Sequence, residues 1–288
     1  MIAGGNHHTV DSRFIGNSSH EERLYNSTMS VLNAPRQFHA GAARIQVYPS
    51  RAALGAAAAE HAATLINRAI QERGRARVIA ATGNSQLALA EALVMQPIDW
   101  KSVELFHMDE YAGMSAQHPA SFRLWIRTRL EEKVHPLKTH YLAGDAADLD
   151  AEIARYSKLL NDAAIDVAFV GFGENGHIAF NDPPVADFRD PATVKLVSLD
   201  EACRKQQAGE GHFSDLASVP QKAVTITCPG LFRANAWVSC VPERRKAEAV
   251  RCALEGPISE ACPASLVRRH PNASVYLDNE SASLLQPA

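Results

Sequence analysis

The sequence predicts the α/β class: a three-layer α/β/α sandwich on a mostly parallel, Rossmann-like sheet. Two observations carry that expectation. From residue 43 onward, short apolar runs of strand length alternate with Ala- and Leu-rich runs of helical composition, the pattern of a parallel sheet covered by helices. The glycines, hydroxyls, acids and histidine suited to chemistry cluster where those runs stop, which is where open α/β sheets gather ligands.

Residues 1–42 stand apart. They are rich in Gly, Asn, Ser and His without a sustained period. They are expected to form a loosely ordered extension with one short helix around residues 21–32. His7-His8 within it reads as a solvated pair rather than a metal site. Residues 44–48 alternate like an edge strand, and residues 51–72 carry the alanines and spacing of a helix. A buried strand over 77–81 runs into Thr82-Gly83-Asn84-Ser85 and a second helix. Residues 103–107 form a strand ending in Met108-Asp109-Glu110-Tyr111. Pro119 and Ser121 precede a helix reaching Leu130. Residues 165–170 form a strand that opens into the glycine-rich segment 171–184. Further strands are expected over 223–227, 236–241 and 274–277, with helices between them. Nothing divides residues 43–288, which are expected to be a single catalytic domain.

Composition narrows the function. Apolar residues make up 46% of the 288 and charged residues 21%, with a formal net charge of −3. That charge offers no field for nucleic acid or an anionic membrane, so an anionic ligand must be held by a few local donors. No apolar run approaches the roughly 18 residues of a membrane helix, and the first residues lack a signal peptide's basic start and apolar stretch. The five cysteines include no CxxC pair and read as reduced thiols of a cytoplasmic protein, without a zinc site or disulfide framework.

Three strand exits could carry chemistry. Thr82 to Ser85 could hold an anion with backbone N–H groups and hydroxyls, or could simply start a helix with Asn84 or Ser85 as N-cap. Asp109 and Glu110 would point to opposite faces of a continuing strand, one to a cleft and one to solvent, unless they cap a turn. Gly171-Phe172-Gly173-Glu174-Asn175-Gly176-His177 places a proton-moving side chain in a loop of unusual backbone. The competing dinucleotide reading of that loop lacks its long following helix. Later, Arg244-Arg245-Lys246 opens a helix, and Arg244 and Arg245 suit a solvated face.

Asp109-Glu110-Tyr111, His118-Pro119-x-Ser121, and Gly176-His177-Ile178-Ala179-Phe180-Asn181-x-Pro183 resemble, in order, the MDEY, HP-x-S and DGHIAFNEP segments of glucosamine-6-phosphate deaminases. Residues 246–256 resemble that family's late lysine helix, and the resemblance extends over about residues 43–285. The related 6-phosphogluconolactonases continue their loop DGHTASLFP, unlike this chain. The resemblance implies conversion of an amino-sugar 6-phosphate to fructose 6-phosphate and ammonia, without cofactor or metal. It implies Asp109 as the base moving the C2 proton and His177 as the group opening the pyranose ring. Asp182 becomes the acidic partner of that histidine, with Asn175 beside it. Thr82, Gly83, Asn84, Ser85, Gly176 and Lys246 become the substrate and phosphate contacts. In the lid region, where the family carries an arginine, this chain has Gln206-Gln207, with Arg204 nearby as the candidate. Asn175 stands where the family usually has Asp, and Asp182 where it usually has Glu, about 1.5 Å shorter in reach. A lactonase-like hydrolase and a catalytically weak sugar-phosphate sensor are the rival readings. The basic residues that form an allosteric site in some relatives are not evident, so that regulation is not expected, and a homo-oligomer is left open.

Overall fold

The computed structural model describes residues 35–286. The expected helix around residues 21–32 and the His7-His8 pair lie outside them. Eleven strands form two sheets among the described residues. The large one has the order β1-β2-β11-β10-β7-β3-β4-β6. Its strands are β1 (Arg36–Ala40), β2 (Ala43–Tyr48), β3 (Ala76–Ala80), β4 (Val103–His107), β6 (Lys138–His140), β7 (Val167–Phe169), β10 (Trp237–Val241) and β11 (Ala273–Asp278). All neighbours pair in parallel except β1 with β2. The mostly parallel α/β architecture is therefore as expected. Among the described residues, regular structure begins at Arg36, so the extension expected to reach residue 42 overlaps an edge strand, β1, that the sequence pattern did not reveal.

The second sheet was not foreseen. β5 (Asp109–Tyr111), β9 (Lys222–Ile226) and β8 (Val194–Ser198) form a separate antiparallel sheet in the order β5-β9-β8. The run 223–227, read as one more strand of a single sheet, belongs here.

Helix α1 (Arg51–Arg73) lies against the large sheet. Ser50 Oγ accepts Ala53 N–H at 3.2 Å, and Gly74 ends the helix in the left-handed region, the preferred chemistry at each terminus. Its alanines 58, 59, 62 and 63 are buried, and small side chains let the helix approach the strands closely. A Cβ on Gly55 would come within 2.7 Å of the backbone of Ala88 in α2 (Leu87–Leu93), so the α1–α2 crossing requires glycine there. Helix α3 (Phe122–Ile126) continues through a π-helical turn at Arg127–Glu131, where the expected helix ran regularly to Leu130. In α4 (Leu149–Asn161), Tyr156 packs its ring edge-on to Phe106 and donates its O–H to the carbonyl of His107 at 2.6 Å. Helices α5 (Glu201–Gly209), α6 (Cys228–Phe232) and α7 (Ala247–Glu255) complete the chain's framework. The chain steps from β3 to β4 and β6 in one direction, and from β7 to β10 and β11 in the other. Strand order thus reverses between β3 and β7, where a crevice opens at the carboxyl ends.

Candidate active site

Four adjacent strands end at that crevice. Each contributes to a single cleft, lined by Thr82, Gly83 and Ser85 after β3, Asp109 after β4, Gly173 and His177 after β7, and Lys246 after β10.

Asp109 starts β5 and pairs with Thr225 of β9. It is 6% exposed. Burial, with the Glu110 charge beside it, pushes its carboxyl up to about 8. Glu110 does not face solvent, as strand alternation suggested; it is fully buried. Its Oε2 accepts from Ser121 Oγ (2.6 Å), Arg123 N (3.2 Å) and Arg123 Nε (3.3 Å), and Oε1 from Tyr111 N (3.0 Å) and Phe122 N (3.4 Å). Burial raises its carboxyl, opposed by those donors. Glu110 therefore closes the start of α3, and Ser121 of the HP-x-S segment serves the fold.

The glycine-rich turn shapes itself around His177. Gly173 N–H donates to His177 O at 2.8 Å. A Cβ on Gly173 would lie 2.3 Å from Nδ1, Cε1 and Nε2 of the imidazole, so the ring lies directly on that glycine. Gly176 has φ +83 and would meet Cys262 Sγ at 2.9 Å if it carried a side chain. Ala179, at φ +50, is a non-glycine residue in the left-handed region, a strain typical of functional loops. No helix follows, which removes the dinucleotide reading. Instead Phe180 N–H donates to Thr225 Oγ1 (3.1 Å), and Asn181 Nδ2 to the carbonyls of Ile178 and Ile226 (2.9 Å each).

His177 Nδ1 stands 2.8 Å from Oδ1 of Asp182, which is fully buried. Burial pushes that carboxyl up, but the His177 contact and charge, with donors on Asn175 and Cys203, outweigh it and hold it below the usual range. Asn175 spans two carboxylates, donating to Asp182 Oδ1 (3.0 Å) and Asp200 Oδ2 (3.4 Å), and accepts His177 N–H at 3.0 Å. It orients the acid and the backbone. Asp200 also caps α5 through Cys203 N–H at 2.6 Å. His177, Asp182 and Cys203 bring ligand-type atoms within 4.8 Å of one another. This is a grouping that the sequence, with Cys203 distant in the chain, did not disclose.

Neither Asn84 nor Ser85 caps a helix: Gly83 holds that position at φ 91, before a 3-10 turn at Asn84–Gln86. Lys246 is 2% exposed. Burial, and Arg245 beside it, lower its ammonium to about 8. Of the two arginines expected on a solvated face, Arg244 is exposed, whereas Arg245 is partly buried and contacts Glu243 (2.6 Å), Glu174 (3.2 Å) and Glu210 (3.7 Å). Arg204 is a correction. It turns from the cleft and donates to the carbonyls of Leu216 (2.6 Å) and Val219 (3.0 Å), so it braces the segment after α5. The lid side of the cleft is formed by Gln206, Gln207 and Glu210. Sequence reasoning passed over Glu210, a single acid in a polar stretch.

Residues 49–276 match the family described as glucosamine-6-phosphate isomerases/6-phosphogluconolactonase. The chain belongs to that family. Within it, the chain is 35% identical to a glucosamine-6-phosphate deaminase of Exiguobacterium sibiricum over 71% of this chain and 79% of that protein. It is 34% identical to one of Listeria monocytogenes over 71% and 86%. A solved monomeric glucosamine-6-phosphate deaminase superposes with TM-score 0.77 at 30% identity, covering 83% of this chain and 99% of that one. A 6-phosphogluconolactonase from Shewanella baltica, 20% identical with TM-score 0.68 over 81% and 97%, shares the fold. No described helix is long and apolar enough to cross a membrane.

Proposed function

We propose that this protein is an amino-sugar-phosphate deaminase that converts glucosamine 6-phosphate, or a close hexosamine 6-phosphate, to fructose 6-phosphate and ammonia. The observation carrying this reading is one cleft that joins a desolvated carboxyl, Asp109, to the His177–Asp182 pair and to the buried Lys246 ammonium. Lys246 and the Thr82–Ser85 backbone hold the phosphate, and that remote binding energy positions the reacting carbons. His177, steadied by Asp182, moves the proton that opens the ring. Asp109 as carboxylate takes the C2 proton and returns it to C1, leaving an iminium at C2; water adds there, the C–N bond breaks, and the ketone and ammonia are released. A carboxyl raised to about 8 is mostly protonated at neutral pH. The substrate's ammonium group beside it favours the charged form, so substrate binding prepares the base. The carbonyl of the opened sugar takes up the developing charge. A cytoplasmic setting fits five unpaired cysteines.

The test is a coupled assay for ammonia and fructose 6-phosphate across hexosamine 6-phosphates, run beside hydrolysis of 6-phosphogluconolactone. Ammonia from glucosamine 6-phosphate is expected. Lactone hydrolysis without ammonia release would overturn the reading, and binding without either reaction would make the protein a sensor.

A further inference from the structure

The loop that should hold the substrate's anion already holds one. Glu210 directly follows α5, and its side chain is only 10% exposed. Its Oε2 lies 3.4 Å from the backbone N of Asn84 and would lie 3.8 Å from a Cβ on Gly83. Its Oε1 faces Arg245 at 3.7 Å. The residue lines the cleft together with Thr82, Ser85 and Lys246. Backbone N–H groups, a hydroxyl and a buried ammonium are the donors a phosphate monoester uses. Lys246 takes part in none of the ion pairs around Arg245, so its charge is uncommitted.

We propose that Glu210 is an internal stand-in for the substrate's phosphate and sets the affinity of this loop for anions. The inference rests on reading the cleft as a sugar-phosphate site and deepens it. A carboxylate and a phosphate dianion in one small, poorly solvated site repel strongly, so phosphate enters as Glu210 leaves. The backbone has room for that exchange. Gly209 and Gly211 flank Glu210, and a side chain on either would meet nothing within 4 Å. Gly211 also holds a positive φ of 88°. Helix α5 also carries Cys203, beside Asp182, and Gln207, whose Oε1 accepts the Tyr111 O–H at 2.7 Å. One helix therefore joins the anion loop to the proton-moving pair. A lid arginine would attract the anion; here the lid side of the cleft carries Gln206, Gln207 and the acid Glu210, and selectivity comes from displacement.

The experiment is calorimetric titration of wild type, Glu210→Gln and Glu174→Gln with inorganic phosphate, fructose 6-phosphate and fructose. Glu174 is the control for diffuse charge, because it pairs with the same Arg245 and its side chain is 38% exposed. Glu210→Gln is expected to bind inorganic phosphate and fructose 6-phosphate about tenfold more tightly, with fructose unchanged, and Glu174→Gln to gain less than about twofold. Equal phosphate affinity in wild type and Glu210→Gln overturns the proposal, as does an equal gain in Glu174→Gln. If phosphate binding tightens in Glu210→Gln but no form binds fructose 6-phosphate, the role of Glu210 stands and the sugar-phosphate reading falls.

Discussion

Replacing Asp109 by Asn should lower turnover by orders of magnitude and make the protein more stable, by an amount that grows with pH. The carboxyl rises from an ordinary 3.8 to about 8 in the fold, so the folded state keeps a proton that the unfolded chain releases. Stability rises with pH only where the unfolded state binds more protons; here the folded state binds more, so wild-type stability falls from about pH 4 to about pH 8 and then levels off. At pH 7 the gap is about three pKa units, or about 4 kcal/mol at 1.36 kcal/mol per unit. An amide has no charge to lose, and burying it costs about as much as burying the protonated carboxyl that it replaces. Asp109→Asn should therefore be about 4 kcal/mol more stable at pH 7 and nearly equal to wild type at pH 4. Turnover should drop by about 10²–10⁴, the usual contribution of a positioned base. Urea unfolding of both proteins at several pH values between 4 and 9, with ammonia release measured alongside, checks both halves. Parallel stability curves would mean that Asp109 is solvated and the desolvation argument is wrong. Retained turnover would remove it from the mechanism.

Other outcomes follow from the same geometry. Gly173→Ala has an allowed backbone but places its Cβ on the imidazole; turnover should fall at least about 10²-fold, as expected for a displaced acid–base group, while calorimetry shows fructose 6-phosphate affinity within a few-fold of wild type. Lys246→Met, which keeps the volume of this buried side chain, should weaken fructose 6-phosphate binding about 10²-fold, on the scale of a lost charge-assisted contact. Its melting temperature should not fall, because an ammonium lowered to about 8 costs stability at every pH below its ordinary 10.5. Asn175→Asp sets a third carboxylate against Asp182 and Asp200; it favours the imidazolium at His177, so the pH–rate profile should move to higher pH, and thermal stability should fall as two amide donors are lost. Superimposable profiles would leave residue 175 a purely structural role.

The large sheet and its exits were legible because each apolar run stops abruptly at chemistry, as Val103 to His107 stops at Asp109. The GHIAFN segment was legible because three glycines frame one histidine. What stayed hidden was tertiary. Lys222 to Ile226 is as apolar as a parallel strand, and only its pairing with β5 and β8 separates it. Strand alternation set one of Asp109 and Glu110 toward solvent, since adjacent positions on a strand say nothing of a helix start folding back onto one of them. Arg204 suited the anion site by charge alone, whereas its partners are carbonyls a dozen residues onward. Asp200, Cys203 and Glu210 meet the site through the orientation of α5, which no local spacing encodes.

The small antiparallel sheet has a consequence for tolerance. Asp109 is carried by one hydrogen-bonded frame, and His177 and Lys246 by another. The two are joined through Met108, the one residue between β4 and β5, and are registered by bonds that include Ile226 N–H to Met108 O (3.1 Å), Phe180 N–H to Thr225 Oγ1 and Asn181 Nδ2 to Ile226 O. Asn181 touches no reacting group, yet it acts as the dowel that aligns two machined plates. Positions along β8 and β9, remote from the cleft, thereby inherit the precision of the chemistry, since a slip of one plate changes where the base meets carbon while leaving both plates intact.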